Sequence, residues 1–343
     1  ITDEDSSYQD WIELYNNSSN PINLNGYGLT DDATLLFKWV FPNVTINPGS
    51  YLLVWASDKN RINPANPLHT NFKISATGEV ITLTSPSSIL VDSAPATSLL
   101  INESVGRIPN GTGSFVVIQT PTPNAENANG TPVQTLNAPT FSQNSGFFTA
   151  GFTLNISTTD PTATIIYTLD GSEPDENNLL GTTYNYKNQY PKLPAQAFGP
   201  LLQQSFQTLQ YSAPISIVDR SSALNKISLI STTFDFLPPY FPNGPIFKGT
   251  VVRAKVVKPG SISSEVITKN YFISPLGNSL FTLPVLSLSI DENKLYDYND
   301  GIAVAGVDFD TWRTANPTKI PSRQIGNYER SGTASERKAN MHY

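Results

Sequence analysis

Residues 51–56 read Tyr51-Leu52-Leu53-Val54-Trp55-Ala56, an unbroken apolar run. Its length is that of a strand, and the lack of polar alternation suits a central strand covered on both faces. Asn47-Pro48-Gly49-Ser50, just before it, has the composition of a tight turn. Further upstream, Phe37, Trp39 and Phe41 fall on one face of an extended chain. The same alternation places Ile12 and Leu14 together in Asp10–Tyr15, and Ile22 with Leu24 ahead of a bend at Gly26-Tyr27-Gly28. Downstream, Val80 to Leu83 and Ile89 to Val91 supply further strands. Short apolar segments separated by turn signals every 8 to 12 residues or so predict a β-sandwich.

Composition points the same way. The chain has 343 residues, a length suited to two or three domains. Only 14% of residues are charged, too few to clothe long exposed helices, while 38% are apolar, enough for real cores. The predicted class is all-β. Net charge is −7 and no Lys/Arg cluster occurs, so nucleic acid is excluded as a partner. No apolar run reaches the length of a membrane span, so no membrane insertion is expected. Cysteine is absent, which removes disulfides and thiolate metal sites. His69 and His342 are the only histidines, giving little basis for a His-based metal site or a Ser/His/Asp triad; His69 reads as a loop or packing residue.

The segments Asp10–Asp32, Ile46–Asp58 and Ser104–Asn127 resemble the bacterial form of the lamin-tail domain, whose fold is an immunoglobulin-like sandwich. The resemblance covers most of residues 1–127 and implies turn roles for Gly106 and Gly111 and core roles for Trp11 and Trp55. It also implies one more strand ahead of Ile1. Residues 128–136, Ala-Asn-Gly-Thr-Pro-Val-Gln-Thr-Leu, read as a polar linker.

A second module, 137–274, contains Ala163 to Pro174, a strand running into an Asp170-Gly171 turn, itself a strong hairpin signal. Tyr167 to Pro174, Tyr211 to Ile215 and Val252 to Lys255 resemble the chitobiase and β-hexosaminidase C-terminal domain, also called fibronectin-III-associated, which is a fibronectin-III-like sandwich. Two insertions interrupt that pattern: about 35 residues between Pro174 and Tyr211, and Asp219 to Phe247. In the first, Leu201, Leu202, Ser205 and Leu209 could share the face of a short helix. Residues 275–343 resemble the opening of the CotH family, named for a spore-coat protein with an atypical kinase fold, and predict a partial α+β segment ending in a strand at Met341-His342-Tyr343. On this resemblance the chain is expected to continue past Tyr343.

A kinase needs a phosphate-cradling loop and metal carboxylates; Asp300 to Gly306 has two glycines but reads as a hairpin turn, and the resemblance places the family's catalytic carboxylates after Tyr343. Asp170 and Glu173 could form a glycosidase pair, but the turn explains Asp170 and solvent explains Glu173. No catalytic residue is assigned, and no cofactor beyond Ca²⁺, for which Asp3, Asp5, Asp31 and Asp32 are the candidate oxygen ligands; solvated acidic loops are the alternative. Asp92-Ser93-Ala94 matches a short bacterial O-glycosylation motif, with Ser93 the acceptor. The apolar insertion residues Tyr184, Tyr186, Tyr190, Phe198, Leu201 and Phe206 are expected to pack on a neighbouring module or form a partner surface, with the tyrosines a candidate glycan strip. The expected role is therefore a scaffold or interaction region of a secreted or cell-surface bacterial protein, with a protein partner or surface assembly. The alternatives are part of a CotH-like kinase and a glycan-binding accessory module.

Overall fold

The computed structural model describes residues 1–322 and 325–342. They form two compact units, Ile1–Asn137 with Val257–Ser264, and Ala138–Val256 with Glu265–Tyr343. The class is all-β, built from many small sheets.

In the first unit Tyr51–Ala56 is the middle strand of a three-stranded sheet. It pairs antiparallel with Asp10–Tyr15, Trp11 opposite Trp55 and Leu14 opposite Leu52, and parallel with Leu68–His69. A four-stranded sheet has the order Trp39–Val40, Gly28–Thr30, Ile81–Thr84, Leu90–Ala94, antiparallel throughout. The core joins Leu24, Leu29, Trp39, Phe41, Ile46, Val54, Leu68 and Phe72, with Ile12 and Leu14 packed on its margin. The alternation read from Trp39 and Phe41 therefore holds, but Phe37 is exposed, because the chain is still in the turn Asp32–Lys38 there. Trp55 is buried and Trp11 half-buried. Gly111 does serve a turn, at φ +67°. Gly106 does not: it lies within the strand Ser104–Ile108, where a Cβ would come within 2.6 Å of the Asn127 amide.

Residues 128–136, read as linker, contribute two short exposed strands. Gly130–Pro132 adds antiparallel to Ser114–Ile118, and Gln134–Thr135 pairs parallel with Ser261–Ile262. The free ladder edges of those strands offer backbone partners that the polar composition of the segment does not advertise.

The second unit is organised by a five-stranded sheet in the order Gly146–Phe148, Ile267–Ile273, Thr250–Val257, Thr164–Thr168, Leu209–Gln210. The strand that enters Asp170-Gly171 ends in the expected turn. Gly171 sits at φ +92°, and the Asp170 carboxylate accepts from Ser172 N–H at 3.0 Å and Ser172 Oγ–H at 2.6 Å. The chain does not return directly as a hairpin; Leu209–Gln210 closes the edge after the insertion.

That insertion forms no helix at Leu201–Leu209. Leu202–Phe206 is a strand, antiparallel to Thr182–Tyr186 with Tyr186 opposite Leu202 and Tyr184 opposite Gln204. The period-two burial of Leu202, Gln204 and Phe206 wins because a partner strand is at hand.

Residues 275–342 contain a strand pair, Ser287–Ser289 with Asn340–His342, and the helices α1 (Glu292–Tyr296) and α2 (Gly306–Ala315). Asp300 to Gly306, expected as a hairpin turn, instead leads from α1 into α2, with Gly306 at φ +60°. The expected strand at Met341-His342-Tyr343 is present through His342; Tyr343 lies outside the described residues.

Candidate functional site

The tyrosines proposed as an outward strip face inward. Tyr184 is 4%, Tyr186 9% and Tyr190 0% exposed. Tyr184 and Tyr186 pack with Ile230 and Val304, flanked by Leu202, Phe206 and Tyr296. Tyr190 packs with Ala305 and Phe309, flanked by Phe234 and Tyr328, and the Phe234 and Phe309 rings stack at 4.9 Å. The glycan strip is thus corrected: these rings are covered by the C-terminal segment of the same unit. Of the six candidate surface residues, only Phe198 and Leu201 are exposed; Phe206 is half-buried.

Polar bonds fix this seam. Tyr190 Oη accepts from the Gly306 N–H at 3.0 Å, where helix α2 begins. Lys187 Nζ donates to Asp310 Oδ2 at 2.5 Å, and Tyr298 Oη–H donates to the same oxygen at 2.7 Å. Both charges of that pair are nearly buried. Arg313, 4% exposed, donates to four carbonyls: Pro191 O, Lys192 O and Lys319 O at 2.7 Å each, and Asn316 O at 3.0 Å. Burial pushes the Tyr190 and Tyr298 hydroxyls well above the ordinary phenol value, so both stay neutral, Tyr298 as a donor to Asp310 and Tyr190 as the acceptor of the Gly306 N–H. Asn188 adds a second insertion to the seam, donating to Leu229 O at 2.8 Å and accepting from Ser231 N–H at 2.8 Å. The sequence signal for this site was the density of apolar residues in the insertion. Its partner lies more than a hundred positions away.

Three of the four carboxylates proposed for Ca²⁺ are paired with cations of the chain. Lys59 bonds both Asp3 and Asp5, and Arg61 bonds Asp5 at 2.6 Å and Glu4 at 2.5 Å. The Arg61 and Lys59 bonds hold Asp5 down to about 2. Asp31 pairs with Lys38 at 2.7 Å, and Asp32 accepts from Thr34 N–H at 2.9 Å. Among the described residues no group of three or more His, Cys, Asp or Glu is arranged to hold a metal. Glu173, expected in solvent, is half-buried and bonds Arg253 at 2.5 Å. Burial opposes its charge, yet Arg253 and Lys338 keep its carboxyl below the ordinary value. Ser93 is half-buried in the strand Leu90–Ala94, opposite Thr82, beside an Asp92 bonded by Arg107 at 2.6 Å.

His69 is no simple packing residue. Its Nδ1 lies 2.7 Å from Ser57 Oγ and its Nε2 2.8 Å from Glu4 Oε1, a serine–histidine–carboxylate relay assembled from positions 4, 57 and 69. His69 is fully buried and Ser57 is 4% exposed, so the hydroxyl is not offered to a substrate. What the relay does is tie the acidic loop at residues 3–7 to the sheet.

A cleft of about 1120 Å³ opens in the first unit beside Asp10–Tyr15, lined in part by Trp11, Ile12, Leu14, Ile81 and Leu83. That strand is the edge of its sheet, so the cleft combines a ladder edge with apolar walls.

Residues 1–98 match the Lamin Tail Domain family, and residues 154–271 match the Fn3-associated family. No curated protein and no solved structure matches the chain significantly. The Lamin Tail Domain match contains the Ser57–His69–Glu4 relay and the core around Trp39. The Fn3-associated match contains the first insertion and the strands Thr164–Thr168, Leu209–Gln210 and Thr250–Val257 of the five-stranded sheet, whose edge strand Gly146–Phe148 lies outside it. Residues 275–343 fall outside both matches, and with them Val304, Ala305 and Phe309, which cover the insertion. No helix of the described residues is long and apolar enough to cross a membrane.

Proposed function

We propose that this chain is an interaction and scaffold region of a secreted or cell-surface bacterial modular protein, in which the Fn3-associated module serves as a mount for a CotH-type domain opening at residue 275. The observation that carries the reading is the seam around Tyr190 and Arg313. An insertion that interrupts the Fn3-associated pattern makes buried, charge-assisted bonds to the C-terminal segment, so the segment is held in one orientation rather than tethered loosely. Charged hydrogen bonds to buried carbonyls are among the stronger non-covalent contacts available. A mount of this kind positions a neighbouring domain without chemistry of its own.

The test has two arms. Antibody against the 343-residue chain should label intact cells of the source bacterium, and cross-linking there should recover a protein partner. Labelling only after lysis refutes the surface location. The same partner recovered equally well with Lys187 and Asp310 both replaced by alanine refutes the mounting role.

A further inference from the structure

Away from the seam, the Fn3-associated module and its C-terminal segment enclose a slot of about 290 Å³. Its floor is aromatic: Phe147 and Phe272, from neighbouring strands, stack at 4.8 Å and 20°, and Phe281 meets Phe147 edge-on at 6.0 Å. Pro284 and Val285 line it as well. Asn270, also in the lining, is 2% exposed, its N–H donating to Ser145 Oγ at 3.0 Å and its Oδ1 accepting from Ser287 Oγ–H at 3.0 Å. The Asn270 Nδ2 is buried and has no hydrogen-bond partner. An unpaired buried amide carries a penalty of about 1–3 kcal/mol unless something accepts from it.

We propose that this slot is a binding site for one neutral sugar ring. Size comes first: small-molecule sites begin at about 300 Å³, so the slot holds a single ring rather than a larger cofactor. Among the described lining residues none is charged, which disfavours phosphates, carboxylates and amines. The aromatic pair carries negative π faces, to which the weakly positive C–H groups of a pyranose are attracted. The polar pair is the specific part. Asn270 Nδ2 can donate, and Ser287 Oγ, whose O–H is directed to Asn270 Oδ1, can accept through its lone pairs. A donor beside an acceptor is the complement of hydroxyl groups; a purely apolar ligand would leave the amide unpaired. This site is separate from the mounting seam and stands or falls independently of it.

The probes are cellotriose, mannotriose and chitotriose, each added to the full chain and followed by saturation-transfer NMR. At least one should receive saturation, with an affinity near the millimolar range expected of a single ring. Val285→Trp, which fills the slot from its wall, should abolish the transfer while leaving the melting temperature within a few degrees. Ser287→Ala should weaken binding several-fold. Silence from all three sugars, with ordered water alone on Asn270 in a crystal, overturns the proposal. So does transfer undiminished in Val285→Trp, or a proline-rich peptide that binds the slot when the sugars do not.

Discussion

Replacing Arg313 with alanine isolates what holds residues 275–342 in place. The side chain has four carbonyl acceptors, and the one on Pro191 is in fully buried surroundings. Hydrogen bonds from a charged group contribute about 1.5–3 kcal/mol each, which would sum to roughly 6–12 kcal/mol if nothing replaced them. Water can reach the three part-buried acceptors once the guanidinium is gone, so most of that sum is recovered. What remains is the orphaned Pro191 carbonyl, at about 1–3 kcal/mol, and the lost packing against Trp312, whose ring lies 5.0 Å from the guanidinium. A net loss of about 3–5 kcal/mol follows, on the order of a thousandfold in the opening equilibrium. Native-state hydrogen exchange reads it directly. The Gly306 and Asn327 amides, bonded to Tyr190 Oη and Ala305 O at 3.0 Å, should exchange about a thousandfold faster in the variant. Arg313→Lys should recover only part of the protection, because one ammonium cannot span four acceptors. Unchanged exchange at Gly306 and Asn327 in Arg313→Ala would refute the seam as the source of order.

Lys187→Met strands the nearly buried Asp310 carboxylate; breaking such a pair costs about 3–5 kcal/mol and should lower the melting temperature of the second unit by roughly 10 °C, which calorimetry would show. Gly306→Ala forces a left-handed residue to carry a Cβ 2.2 Å from the buried Asn327 amide, and should destabilise by about 2–4 kcal/mol in a urea titration; no shift in midpoint would contradict the packing described. Acid should loosen the loop at residues 3–7. Asp5 is depressed to about 2, so its contribution is complete above its unfolded value of about 4 and is lost as pH falls through about 2, readable as faster exchange of the Ser7 amide bonded to Asp3. Ser57→Ala removes the hydroxyl from His69 Nδ1 and should cost about 1–3 kcal/mol, whereas a serine-directed phosphonate should leave Ser57 unlabelled because it is buried; rapid labelling would reverse that reading.

What the sequence by itself determined is the local grammar. Tyr51–Ala56 becomes a central strand, Trp39 and Phe41 enter the core, and Asp170-Gly171 turns, because those outcomes depend on side-chain period, apolar run length and backbone freedom within a few residues. Motif order added the two matched modules. Tertiary structure alone decided what each exposed-looking group faces. Tyr184, Tyr186 and Tyr190 read as an outward strip because an aromatic in an insertion has no local feature telling it where its cover lies; Val304, Ala305 and Phe309 supply that cover. The acidic run at residues 3–5 reads as a cation site until Lys59 and Arg61 are brought onto it, and His69 reads as solitary until Glu4 and Ser57 arrive on either side. Charge neutralisation and burial are pairwise properties in space, and a linear pattern carries no term for a partner tens or hundreds of residues away.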